Sequence, residues 1–147
     1  MPGVMRMVNI ISRCHAMYRS DRLKGSGVNP GFYGYVLPVH FNPGMSQEQL
    51  ARHVCLDKCN VTRHLSKLEE GGYVERRSSD TDKRVTLVYP TDKLEELVPT
   101  VREINRDWTE YVLEGLSPEE LEQFEATLLK IARRAKEYVN SKDVIEE

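Results

Sequence analysis

The middle of this 147-residue chain carries two helix-start signals in quick succession. Ser46 and Gln49 form a capping box, because an N-cap hydroxyl accepts the amide three residues on while the glutamine side chain reaches back. Asp57 is a second N-cap. Gly71-Gly72 follows and supplies the left-handed backbone conformation typical of a helix end. The pattern predicts two short helices joined by a tight turn.

The apolar residues of these two helices are spaced to form one seam between them. The seam residues are Leu50, Val54, Leu56, Val61, Leu65 and Leu68. On the second helix, the face that points away from this seam is polar and basic. It comprises Lys58, Asn60, Thr62, Arg63, Ser66 and Lys67. A β-hairpin is predicted next, with a polar tip over 78–83 and with Val85, Leu87 and Tyr89 alternating on the return strand. A tight helix pair followed by a basic hairpin is the layout of a winged helix-turn-helix.

The exposed residue types of the second helix suit the major groove of DNA, which admits one α-helix and exposes base edges to the helix's amino end. Asn60 can bond an adenine edge and Arg63 a guanine edge, whereas Thr62 can bond a base or offer its methyl to thymine. Phosphate contacts position a helix without reading sequence, and we predict them for Lys58, Lys67 and the hairpin arginines, including Arg76.

The distribution of charge agrees with this interpretation. The whole chain has a net charge of -2, but the stretch from Arg52 to Arg84 holds eight basic and six acidic residues. A mildly basic middle within an acidic chain brings one face to phosphates while the other faces repel them.

Long amphipathic stretches flank the middle on both sides. The spacing of apolar residues predicts a helix from Val4 that stops near residues 25–27, then a short helix from Phe32 to Phe41. After the hairpin, one apolar stripe comprises Leu94, Leu97, Val101, Ile104, Trp108, Tyr111 and Val112, with a kink predicted at Pro99. The last helix begins at a capped Ser117 and carries Leu121, Phe124, Leu128, Ile131, Ala135 and Tyr138. Either a partner subunit or the chain's own core covers such stripes.

Several central segments resemble the MarR (multiple antibiotic resistance regulator) family of bacterial transcription regulators. They are residues 42–51, 57–58, 60–63, 68–74 and 82–84. The resemblance implies a homodimer with intertwined terminal helices and two winged lobes that grip a pseudo-palindromic operator. It also implies that Arg84 is the wing-tip arginine of the minor groove and that Asp82 orients it. Pro90 and Leu94 depart from the family's usual leucine and glycine, so the junction after the wing is expected to differ.

We therefore predict a mainly α fold with a small β-hairpin wing, in a single domain of residues 1–147. Residues 1–28 and 91–147 are the predicted dimerisation helices, and residues 29–90 are the predicted winged helix-turn-helix lobe. The predicted function is a sequence-specific, homodimeric repressor that binds double-stranded DNA and is released by a small-molecule effector. Two alternatives stay open, namely a redox-sensing regulator that uses Cys14 and a winged-helix module that binds proteins.

The resemblance also implies an effector pocket between the lobes and the dimerisation helices. Its candidate lining residues are His15, Tyr18, Tyr33, Tyr35 and Trp108, for which core packing is the alternative role. Cys14 with Tyr18 four residues later resembles the arrangement in the organic hydroperoxide-sensing branch of the family. The same cysteine in a buried environment would be inert.

The sequence predicts no enzyme, no cofactor and no metal site. It has no nucleophile elbow, phosphate-binding loop, dinucleotide fingerprint or zinc-protease helix. His53, Cys55, Cys59 and His64 lack the paired spacing of zinc ligands, whereas a disulfide between Cys55 and Cys59 stays open. An odd number of cysteines, with no secretory signal and no membrane span, predicts a cytoplasmic protein with reduced thiols.

Overall fold

A computed structural model describes residues 3–142 of the chain. Its helices are α1 (Val4–Leu23), α2 (Tyr33–Phe41), α3 (Gln47–Val54), α4 (Lys58–Glu70), α5 (Asp92–Leu113) and α6 (Pro118–Lys142), with a 3-10 turn at Pro30–Phe32 before α2. Its strands are β1 (Met45–Ser46), β2 (Val74–Ser78) and β3 (Thr86–Pro90). The predicted mainly α fold with a hairpin wing is confirmed. Within residues 3–142, every helix is too short or too polar to span a bilayer.

The predicted caps begin both helices of the central pair. The hydroxyl of Ser46 accepts the backbone amide of Gln49 at 3.1 Å, and the Gln49 side chain accepts the Ser46 amide at 3.0 Å. Asp57 accepts the amide of Asn60 at 2.9 Å, and this backbone hydrogen bond lowers the pKa of the Asp57 carboxyl. At the other end of α4, Gly72 takes the left-handed conformation with φ at +78°. Side-chain caps therefore fix where α3 and α4 begin, and the left-handed Gly72 marks where α4 ends.

The seam between α3 and α4 is built as predicted with one exception. Leu50, Val61, Leu65 and Leu68 are fully buried, and Val54 packs against them from a half-buried position. The assignment of Leu56 to the seam was wrong, because its side chain is 44% exposed. The cause is the turn itself: the preceding residue, Cys55, adopts the left-handed conformation at φ 56°, and the chain leaves the seam there.

The wing is part of a three-stranded antiparallel sheet in the order β1-β3-β2. Sequence analysis missed β1, which pairs Met45 with Val88 and Ser46 with Leu87. Val88 is the buried residue of β3, while the three alternating residues predicted for this strand are only partly buried. Leu87 and Tyr89 therefore lie on the face of β3 opposite Val88, whereas Val85 precedes the strand. The wing's base joins the core through Val88.

The core continues from α2 into the first half of α5. Tyr33, Tyr35, Val36 and Val39 of α2 are buried, as are Leu94, Val98, Val101 and Ile104 of α5. The phenol of Tyr33 donates a 2.6 Å hydrogen bond to the Asn105 side chain. Nδ1 of His40 lies 2.6 Å from the Oε2 atom of Glu95. Packing and polar contacts together fix the lobe to α5.

The outer apolar stripes stay uncovered within one chain. The exposed side chains include Val4, Met7, Val8 and Ile11 of α1, Tyr111 and Val112 of α5, and Phe124, Leu128, Ile131 and Tyr138 of α6. An apolar cavity of about 520 Å³ lies between α1 and α6, lined mainly by these residues. The chain's own core therefore covers the first half of the α5 stripe, but it does not cover these exposed residues of α1, of the end of α5 and of α6.

Candidate nucleic-acid interface

The amino-terminal half of α4 carries a linked set of polar side chains on its exposed surface. The Asn60 side-chain amide donates to the Asp57 carboxylate, and the Arg63 guanidinium donates to the Asn60 carbonyl oxygen. Both functional ends of the Asn60 amide are therefore engaged within the chain. Arg63 keeps its remaining donors for an external partner.

Thr62 lies on the same exposed surface and has two partners for its hydroxyl. The hydroxyl donates to the backbone carbonyl of Lys58 at 2.8 Å and accepts a hydrogen bond from the Gln47 side chain at 2.8 Å. The Lys58 ammonium lies 3.4 Å from the Glu48 carboxylate. The first turn of α4 is thus connected to the first turn of α3.

Arg76, at the base of the wing, is held against α4. Its backbone amide donates to Glu69 at 2.8 Å, its guanidinium donates to the same carboxylate at 3.1 and 3.2 Å, and it reaches the Ser66 hydroxyl at 3.2 Å. These hydrogen bonds lower the pKa of Glu69. The Arg76 side chain is 22% exposed, so its contacts fix the angle between the wing and α4.

Arg84, at the wing tip, has the opposite environment. Its side chain is 91% exposed, yet Asp82 accepts hydrogen bonds from the Arg84 backbone amide at 3.0 Å and from its guanidinium at 3.1 and 3.2 Å. The guanidinium bond is the principal cause of the lowered pKa of Asp82. A bidentate carboxylate fixes the plane of the guanidinium while leaving its outer edge open to solvent.

The junction between the wing and α5 is tied back to the end of α4. Thr91 caps α5 and donates its hydroxyl to the carbonyl of Gly72 at 2.6 Å. Lys93 donates to the carbonyl of Gly71 at 2.7 Å, where a cation satisfies an unpaired helix-end carbonyl. Leu94, at the position where the MarR family usually has glycine, is fully buried.

The five candidate effector residues divide into two groups. His15 stacks on Trp108 with ring centroids 5.1 Å apart, and Tyr18 lies 5.2 Å from the same indole. Tyr33 meets His15 edge-on at 6.3 Å, so four of the five residues form one aromatic cluster. The fifth, Tyr35, lies apart from them.

Tyr35 instead faces α4, the second helix of the helix-turn-helix and therefore its candidate recognition helix. Its phenol lies 2.7 Å from Nδ1 of His64 on α4, and burial raises the pKa of that phenol to about 12. Both residues line a cleft of about 610 Å³ between α1, α2 and the turn after α3. Arg19 and His53 line the same cleft.

The cysteines are free thiols in this structure. Cys14, Cys55 and Cys59 are all exposed in the single chain, so burial does not protect Cys14. The two cysteines near the turn are not joined. Within residues 3–142, no three histidine, cysteine, aspartate or glutamate side chains are grouped to hold a metal ion.

Two short helices in a tight turn, a polar and basic second helix and an arginine-tipped hairpin define a winged helix-turn-helix protein of the DNA-binding class. The family model described as "MarR family" matches residues 38–86, which span that unit. The chain therefore resembles MarR family transcription regulators in this central unit and in its fold.

Individual relatives agree over most of the chain. It is 28% identical to the HTH-type transcriptional regulator YybA of Bacillus subtilis, over 90% of this chain and 89% of the relative. The transcriptional regulator SlyA superposes with a TM-score of 0.88 at 26% identity, over 93% of this chain and 96% of that chain. A MarR family regulator from Listeria monocytogenes, solved with a 26mer DNA, shares the fold with a TM-score of 0.88 at 22% identity, over 95% and 93% of the two chains.

The structure brings the predicted residues of α4 together on one exposed surface, and the wing-tip pair projects separately from them. Three residues with roles at this surface were not predicted to have them: Gln47, Ser66 and Glu69. The capping box already implied that Gln47 begins α3, which was the one available signal. Nothing local in the sequence connects Glu69 with Arg76, because that contact depends on how the wing folds back on α4.

Proposed function

We propose that this chain is a sequence-specific, homodimeric repressor whose two winged lobes bind one pseudo-palindromic operator in double-stranded DNA. The observation that carries the proposal is the pairing of an exposed, basic α4 with a wing-tip arginine whose plane is already fixed by Asp82. In such a lobe α4 enters the major groove, and Arg84 enters the adjacent minor groove.

The residues of α4 then divide by role. Arg63 reads a guanine edge with the donors that Asn60 leaves free. Lys58 and Lys67 contact phosphates, which sets the register of the helix without reading bases. Arg76 serves as a positioning residue, because Glu69 and Ser66 already use its guanidinium.

The homodimer is supported by the uncovered apolar stripes of α1, α5 and α6. Exposed contiguous apolar surface of this kind marks an association surface, and closed two-fold symmetry is the commonest arrangement for one chain. Two lobes related by a two-fold axis match half-sites about 34–36 Å apart, one turn of DNA.

Release by a small ligand is supported by the cleft that includes Tyr35. Its lining combines Arg19, two histidines and a phenol with apolar walls, which suits a small aromatic acid. Because His64 belongs to α4, a ligand in this cleft acts on the recognition helix directly. Such a ligand weakens DNA binding if it prefers a lobe position that mismatches the operator.

The test is selection of bound duplexes from a random library by the purified protein, followed by a salt titration of the enriched sequence. We expect an inverted repeat and an affinity that falls linearly with salt on logarithmic axes, because phosphate contacts release counterions. A protein-interaction module would enrich no repeat. Adding peroxide tests the redox alternative, since release that disappears on Cys14→Ser would transfer the switch to that thiol.

A further inference from the structure

The first residue of α3, Gln47, lies beside the exposed surface of α4 rather than on it. It directly follows the N-cap Ser46 and is half-buried. Its side chain crosses to α4 and donates from Nε2 to the hydroxyl of Thr62 at 2.8 Å. The glutamine amide is thereby held at the edge of the surface proposed to enter the major groove.

The partners of Thr62 fix which way this amide points. A threonine hydroxyl has one proton, and here it goes to the backbone carbonyl of Lys58 at 2.8 Å. The hydroxyl can therefore only accept from Gln47, so the glutamine must present an N–H to it. Its carbonyl oxygen and second N–H have no partner among the residues that the structure describes.

The remaining acceptor and donor of Gln47 match an adenine edge. Adenine offers an N6 donor and an N7 acceptor in the major groove, and glutamine bonds both at once. Asn60 has the same chemistry, but Arg63 and Asp57 already occupy both ends of its amide. Thr62, with its hydroxyl satisfied, offers its methyl group, which suits the methyl of thymine.

We propose that Gln47 of α3, held by Thr62, reads an adenine in each half-site and that the Thr62 methyl contacts a neighbouring thymine. This inference rests on the proposed function, because it assigns bases to the same DNA-binding surface. Holding the amide before DNA arrives reduces the side-chain entropy lost on binding, so a residue outside the recognition helix can contribute to specificity.

The test is selection from a random duplex library by the full-length protein and by Gln47→Ala. We expect Gln47→Ala to lose the adenine preference at one position of each half-site and to bind the wild-type operator roughly 5- to 150-fold more weakly, the worth of one bidentate base contact. The adenine preference should persist in Asn60→Ala. Thermal unfolding of each variant verifies that the lobe is folded.

Two substitutions at Thr62 form a matched pair. Thr62→Ser keeps the hydroxyl, so we expect the adenine preference to persist while the thymine preference disappears. Thr62→Val keeps a methyl but removes the acceptor, so we expect the reverse. This opposite behaviour is not expected from a mere structural brace.

The outcomes separate this inference from the function on which it rests. An inverted repeat selected equally by wild type and Gln47→Ala would overturn the role of Gln47 and leave the proposed function standing. A loss of affinity that is uniform across all operator positions would also overturn it, because Gln47 would then only brace α4. Failure of the wild-type protein to enrich any sequence would overturn both.

Discussion

Removing the phenol oxygen of Tyr35 tests whether the cleft is coupled to the recognition helix. In Tyr35→Phe, the 2.7 Å hydrogen bond to His64 is lost, while the ring keeps its packing in a position that is 2% exposed. One net hydrogen bond contributes about 0.5–1.5 kcal/mol to stability, and a buried group left unpaired costs about 1–3 kcal/mol. Because His64 is half-buried, its ring nitrogen can accept or donate a hydrogen bond with water instead. We therefore expect the free energy of unfolding to fall by about 1 kcal/mol.

That loss should be visible in two measurements. The thermal midpoint should fall by about 2–4 °C, the shift expected per kcal/mol for a domain of about this size. If the hydrogen bond also holds α4 in its DNA-binding position, operator affinity should fall by up to about fivefold, since a tenfold change corresponds to 1.4 kcal/mol. Calorimetry and a fluorescence anisotropy titration at fixed salt measure the two effects.

Tyr33→Phe is the matched control, because it makes the same chemical change on the same helix. The Tyr33 phenol bonds Asn105 of α5 instead of α4, and burial raises the pKa of Tyr33 to about 12 as well. We expect a similar fall in thermal midpoint with operator affinity unchanged. Equal losses of affinity in both variants, or none in either, would refute the coupling between Tyr35 and the recognition helix.

Three further predictions concern the wing, the phosphate contacts and the response to pH. Arg84→Ala should weaken operator binding roughly 5- to 150-fold without changing the oligomeric mass in light scattering, because the wing tip lies away from the proposed dimer surface. Lys67→Ala should weaken binding to all sequences alike and reduce the logarithmic salt slope by about 1, measured by repeating the titration across salt concentrations. Burial, followed by the nearby charge of Arg19, lowers the pKa of His15 below its ordinary 6.5, so the unfolded state binds the proton more tightly. The free energy of unfolding therefore keeps the full contribution of neutral His15 above pH 6.5, and this contribution declines as the pH falls towards the folded-state pKa. We expect the thermal midpoint of the wild type to show this decline and that of His15→Phe to lack it.

Signals confined to a few neighbouring residues were predicted well. The capping boxes, the double glycine and the three-to-four spacing of apolar residues act within one helix, and they located α1, α3, α4 and the start of α6. The winged helix-turn-helix followed from them because the order of elements leaves few other ways to bury the seam.

Features that depend on distant residues were missed. Strand β1 has two residues, and it exists only because β3, some forty positions later in the chain, pairs with it. Tyr33 and Tyr35 were assigned to one pocket, but residues two apart on a helix point in widely different directions, so Tyr35 faces α4. Leu56 was misplaced because its position depends on a left-handed turn at a non-glycine residue, Cys55.

Strand β1 has a mechanical consequence for DNA recognition. Because Ser46 both pairs with β3 and caps α3, the start of α3 shares a hydrogen-bonded sheet with the wing, while Arg76 joins the wing to α4. The three segments proposed to face DNA are therefore joined by hydrogen bonds, which oppose their separate adjustment to a groove of different width. In the proposed complex we therefore expect the duplex to supply much of the deformation, which favours operators whose base steps bend at low energetic cost, including steps that no side chain touches.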